Sequence, residues 1–180
     1  MNTSLAMPFS AALVACASLV ACVPPPPSPD ESKCNHTLLE PDFAPDGDLA
    51  GPGLDADGNL PKGRYVFSST YLAIQLSTDA FERFSEVNGP IGDALESQPG
   101  LVAYTTGFSG DCYAARTLAV WKDEESMVKF VAGPAHGDAV RAIDEISRGK
   151  SIVTHWEDDE RGASWDRAVE KITVDEGPFY

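Results

Sequence analysis

His136 is the side chain of this sequence best suited to moving a proton. It lies two residues after Pro134, and Gly133-Pro134 should end one helical run and begin another, so the imidazole falls in the first turn of a helix. An imidazole there can take or give a proton near neutral pH. It can equally spend its N–H on a nearby backbone carbonyl. Tyr71 and Tyr104 stand in predicted strands, where they can present hydroxyls or serve as core aromatics with the hydroxyl satisfied. Arg116 sits mid-strand among apolar neighbours. It can hold an anionic ligand or one of the many carboxylates of the chain. His155, beside Trp156 near a strand end, reads as a surface residue, and His36 lies in a proline-rich stretch.

Other chemistries leave no trace. GxSxG, HExxH, P-loop and GxGxxG patterns are absent, as are CxxC and Cys/His metal spacings, so no metal is expected. Asp55-Ala56-Asp57-Gly58-Asn59 opens like a calcium loop, but the twelfth position, where a glutamate is needed, is Val66; a polar turn is the better reading. The formal net charge of −15 argues against nucleic acid as a partner, since phosphate binding needs a basic patch.

The elements that would position these residues are legible from periodicity. Tyr65 to Leu76, rich in β-branched and aromatic residues, reads as a strand. Ser77 or Thr78 can cap a helix whose face is Phe81, Phe84, Val87, Ile91 and Leu95, with Pro90 expected to kink or interrupt it. Leu101–Phe108 and Tyr113–Trp121 form a hairpin about Ser109-Gly110-Asp111. Glu124 to Ile146 is helical, split at Gly133-Pro134. Ser151 to Trp156 is a further strand, and Ser164 to Ile172 a short capped helix, followed by a frayed tail. The order β-α-β-β-α-β with a terminal helix is ferredoxin-like α+β. Two helices cover one face of such a sheet, yet both faces of these strands are apolar, so a second copy is expected on the open face, making a homodimer.

The chain divides into three parts. Residues 1–21 carry no Lys, Arg, Asp or Glu and read as an export signal. Leu19-Val20-Ala21-Cys22 resembles a bacterial lipobox, with Cys22 the lipidated residue; Leu13-Val14-Ala15-Cys16 fits the same pattern but leaves too short an apolar region. Residues 22–63, rich in Pro and Gly and without apolar period, read as a disordered tether holding the domain off a membrane. Residues 64–180 form the folded domain. With Cys22 lipidated in an exported chain, Cys34 and Cys112 remain, and a disulfide between them is expected, with free thiols the alternative.

The run Arg116-Thr-Leu-Ala-Val-Trp-Lys-Asp-Glu-Glu-Ser-Met-Val-Lys-Phe-Val-Ala-Gly-Pro-Ala-His136 resembles the antibiotic-biosynthesis-monooxygenase-like (ABM) group of dimeric α+β barrels. In that group a strand ending in Trp and an acidic helix start precede an aromatic residue and a His. The resemblance spans roughly Arg64 to Ile172 and is densest from Thr117 to Arg141. It implies a cleft between sheet and helices with His136 as its proton-transfer group. It places Trp121 in the wall, with Asn88, Tyr71, Tyr104 and Arg116 as further pocket candidates. Heme-degrading members carry their ligand histidine about one turn later, near Val140, so heme is disfavoured and no cofactor is expected. Two functions follow as expectations: an envelope-anchored module binding a small molecule, or a monooxygenase-like enzyme acting on a small aromatic or heme-type substrate.

Overall fold

The computed structural model describes residues 28–149 and 151–174; the signal, Cys16, Cys22 and the tail beyond Val174 lie outside them. In chain order the elements are β1 (Ala44–Pro45), β2 (Arg64–Ala73), α1 (Thr78–Ser97), β3 (Leu101–Ser109), β4 (Ala114–Trp121), α2 (Glu124–Val131), α3 (Pro134–Arg141), α4 (Ile143–Ile146), β5 (Ile152–Asp159), a 3-10 turn (Glu160–Gly162) and α5 (Trp165–Val174). The sheet order is β1-β3-β4-β2-β5, antiparallel throughout. Without the short β1 this is the ferredoxin-like arrangement, and the domain is α+β as its sequence pattern predicts.

Local chemistry sets the helix ends. The Ser77 hydroxyl accepts from the Ala80 N–H at the start of α1, and Asp123 accepts from the Ser126 N–H at the start of α2. Gly133 caps α3 and Pro134 takes its first position, so the chain breaks where expected. Pro90 does not interrupt α1, which runs unbroken for 20 residues. The ring removes one hydrogen bond, but Glu86 and the stretch Asn88–Pro90 face solvent, where water can serve the orphaned carbonyl.

The two faces of the sheet are buried differently. On the first face α1 to α4 pack in two apolar clusters. One joins Val66, Leu95, Leu101, Ala119, Trp121 and Met127. The other joins Ile74, Val87, Ala142 and Ile146. On the second face α5 lays Ala168 on Phe67 and Trp156, and Ile172 on Tyr71 and Ile152.

Most of the rest of the second face is covered by residues 28–63, which corrects, for these residues, the expectation of a disordered tether over 22–63. Cys34 is buried and disulfide-bonded to Cys112. Phe43 packs edge-on against Trp165, with ring centroids 4.9 Å apart. Ala44 and Pro45 pair with Phe108 and Gly107, and the backbone continues along β3 through the Asp46, Ala50 and Gly53 amides. Leu49 and Leu60 pack into the cluster of Phe67, Leu118 and Val120. Proline and glycine deny this segment regular structure, but its scattered apolar side chains find a preformed apolar sheet, which offsets the ordering entropy. The face expected to meet a second copy is thus largely occupied by the chain itself. Asp55 forms the polar turn, its Oδ1 accepting from the Asp57 and Asn59 amides, and no metal-ligand cluster exists among the described residues.

Candidate functional site

Strand register divides the predicted site residues between two faces. In β4, Thr117, Ala119 and Trp121 point to the helices, whereas Arg116, Leu118 and Val120 point the other way, because side chains alternate. Tyr71 pairs with Arg116 across β2 and β4 and shares its face. Hence Trp121 and Tyr104 belong to the sheet–helix side, and Tyr71 and Arg116 do not. Asn88 lies on the exposed side of α1 and reaches neither.

On the helix side, the register lines up Thr106, Thr117 and Thr70 across three neighbouring strands, with Ser68 one step along β2. All four are half-buried, and they lie between the two apolar clusters. The Thr70 and Thr117 hydroxyls are 2.8 Å apart. The Thr106 hydroxyl donates to Asp46. Ser68 Oγ accepts the Trp121 indole N–H at 2.9 Å. Trp121, 1% exposed, is a core side chain anchored to one end of this hydroxyl belt. From it an aromatic row runs outward: Phe130 at 5.3 Å between centroids, then His136 at 5.7 Å from Phe130.

His136 is half-buried, and burial lowers its pKa below the ordinary histidine value, against the opposing effect of a bond to the Val131 carbonyl. The imidazole is therefore neutral at pH 7. One ring N–H serves that carbonyl, so the other nitrogen carries the lone pair and can accept a proton. Tyr104 donates to Glu96 Oε1 at 3.4 Å, and burial, with the Glu96 charge, raises its pKa. The arrangement offers hydroxyl donors and acceptors, aromatic surface and one neutral base, and none of the side chains named in it is cationic.

Arg116 has the partner that an acidic chain makes available. Its Nε donates to Glu40 Oε2 at 2.9 Å and its Nη2 to Glu40 Oε1 at 3.1 Å and the Leu38 carbonyl at 2.6 Å. The guanidinium carbon stands 4.6 Å from the Tyr71 ring centroid. Burial raises the Tyr71 pKa, and the Glu40 charge adds to it. This cluster is buried on the second face, away from α1 to α4 and His136. His155 is exposed, as read from sequence. A recess of about 490 Å³ on the second face separates Leu49 from Trp165 over a floor of Thr105 and Leu118.

Sequence reading missed the hydroxyl belt and Glu40. Alternation within β2 and β4 shows that Ser68, Thr70 and Thr117 share a face with Trp121, a usable signal. Glu40 carries no such mark, since its role depends on where an irregular segment lands.

No protein-family profile and no curated protein matches the sequence. Solved structures do resemble it. An antibiotic biosynthesis monooxygenase is 14% identical, with a TM-score of 0.45, over 51% of this chain and 95% of that one. SnoaB, a cofactor-independent oxygenase from Streptomyces nogalater, is 20% identical, with a TM-score of 0.41, over 52% and 90%. A dimeric ferredoxin-like protein of unknown function from Jannaschia sp. is 17% identical, with a TM-score of 0.45, over 52% and 98%. Each covers about half of this chain. The domain is a ferredoxin-like α+β fold by its own order of strands and helices.

Proposed function

We propose that this chain is an exported, envelope-tethered module that binds a small neutral molecule with a flat ring on the helix side of its sheet. The half-buried hydroxyls of Ser68, Thr70, Thr106 and Thr117, beside the Trp121–Phe130–His136 row, carry this reading. Small-molecule sites combine aromatic surface with a few placed polar groups. Hydroxyls and a neutral imidazole suit a phenolic or quinol-like ligand better than an anion. The tether rests on Leu19-Val20-Ala21-Cys22, and the Cys34–Cys112 bridge fits an oxidising compartment. Titrating small hydroquinones while following tryptophan fluorescence tests the site. Binding should weaken at least tenfold in Thr117→Val and His136→Ala, and unchanged affinity in both would sink it. Cys22→Ala should move the protein from the membrane to the soluble fraction; unchanged partitioning would defeat the tether.

A second reading is favoured by one observation, the neutral His136. A base at that position can take the hydroxyl proton of a quinol and leave an electron-rich ring for reaction with oxygen, a monooxygenase-like role. Oxygen uptake with a quinol, lost in His136→Ala, would distinguish an enzyme from a binding module.

A further inference from the structure

We propose that residues 28–63 and α5 together stand in for a second subunit, so that this chain is a monomer, and that the Glu40–Arg116 pair reserves the second sheet face for the chain's own segment. A face carrying Phe67, Leu118, Val120 and Trp156 must be covered. It can be covered by its own chain or by the same face of a second copy. Arg116 separates the two. In face-to-face pairing the same patch meets itself. Each copy would bring a guanidinium into a dry interface. The strands of this face carry one carboxylate, Asp158, which Arg167 of α5 already holds at 2.8 Å. A buried unpaired cation is a heavy penalty.

The chain's own segment removes that penalty, because Glu40 arrives with it and both side chains become fully buried, 0% and 1% exposed. The other firm ties lie in the same stretch. Cys34 is bonded to Cys112, and Asp42 accepts from the Ser109 hydroxyl at 2.5 Å and the Asp111 N–H at 2.8 Å. These three ties run from residues 34–42 to the end of the β3–β4 hairpin and the strand leaving it, and the backbone pairing of residues 44–53 with β3 continues the attachment along the sheet edge. The device combines attraction for one cover with repulsion of the other.

Sedimentation equilibrium of the exported chain at micromolar concentration tests this. The wild type should show the mass of one chain, both oxidised and after a dithiol reductant has opened the bridge, since Glu40 still holds the segment. Glu40→Gln combined with Cys34→Ser and Cys112→Ser should release the segment and give a mass that rises with concentration. A wild-type dimer in either redox state overturns the inference. So does a triple variant that is folded by circular dichroism, has its segment open to protease, and remains a monomer. If the triple variant does not fold, the wild-type masses alone still decide.

Discussion

Arg116 and Glu40, 76 residues apart in sequence, meet with Nε and Oε2 2.9 Å apart and both side chains withdrawn from water. The pair joins the middle of β4 to a segment with almost no regular structure. It sets where that segment lies, because displacing it would strand a cation in an apolar face. Removing one partner of such a pair costs about 3–5 kcal/mol, whereas replacing both by apolar groups of similar size is close to neutral. Urea unfolding should therefore show a large loss for Glu40→Gln and a much smaller one for Glu40→Leu combined with Arg116→Leu.

The disulfide bridges residues 78 apart in sequence. Closing a loop of that length removes unfolded-state entropy worth about 4 kcal/mol in the chain-entropy model. Cys34→Ser with Cys112→Ser should lower the urea midpoint accordingly. Reducing the wild type should shift it by a similar amount, and a shift in only one of the two would separate the bridge from the loss of side-chain packing.

Acid should weaken the fold in part through His136. Burial lowers its folded-state pKa, so below the ordinary value of about 6.5 the unfolded chain takes up the proton more readily. Stability from this group is full above pH 7. It declines as pH falls through 6.5 and levels off below the depressed folded value. His136→Gln should flatten that part of the stability–pH curve, as followed by thermal melts between pH 5 and 8.

Trp121 and Ser68 join the helix-side core to the hydroxyl belt. Ser68→Ala leaves the indole N–H of a buried tryptophan without its acceptor, at a cost of about 1–3 kcal/mol. Tryptophan emission should shift as the indole environment changes, and hydroquinone titration should weaken along with it.

Gly51 lies where the covering segment passes closest to β3. A Cβ there would come within 2.4 Å of the Ala103 Cα and the Val102 carbonyl oxygen, both backbone atoms that cannot step aside. Gly51→Ala should push the segment from the strand and cost about 1–3 kcal/mol. Hydrogen exchange should then speed up at the Tyr104 amide, which donates to the Ala50 carbonyl.

Local pattern was enough for most elements. Apolar runs rich in β-branched and aromatic residues, set off by turn residues, marked β2, β3 and β4. The three-and-four spacing of Phe81, Phe84, Val87, Ile91 and Leu95 marked α1. Gly133-Pro134 placed His136 in the first turn of α3. These rest on interactions between near neighbours in sequence, so the residues carrying the signal are also the ones that make the structure. Of the pocket residues the resemblance implied, Trp121 and Tyr104 lie on the helix side, whereas Tyr71 and Arg116 lie on the other face. Pro90 misled because the cost of its missing hydrogen bond depends on whether water reaches that turn.

The sequence by itself determined the ferredoxin-like order of strands and helices, the two apolar faces that must be buried, and the place of His136 between two helical runs. Only the tertiary structure decided what buries the second face. Phe43, Leu49 and Leu60 lie in a stretch without period, and Glu40 among prolines. Their worth depends on a sheet assembled from residues further along the chain, between Arg64 and Asp159. Composition records that such a segment cannot fold alone; it carries no record of the surface on which it folds.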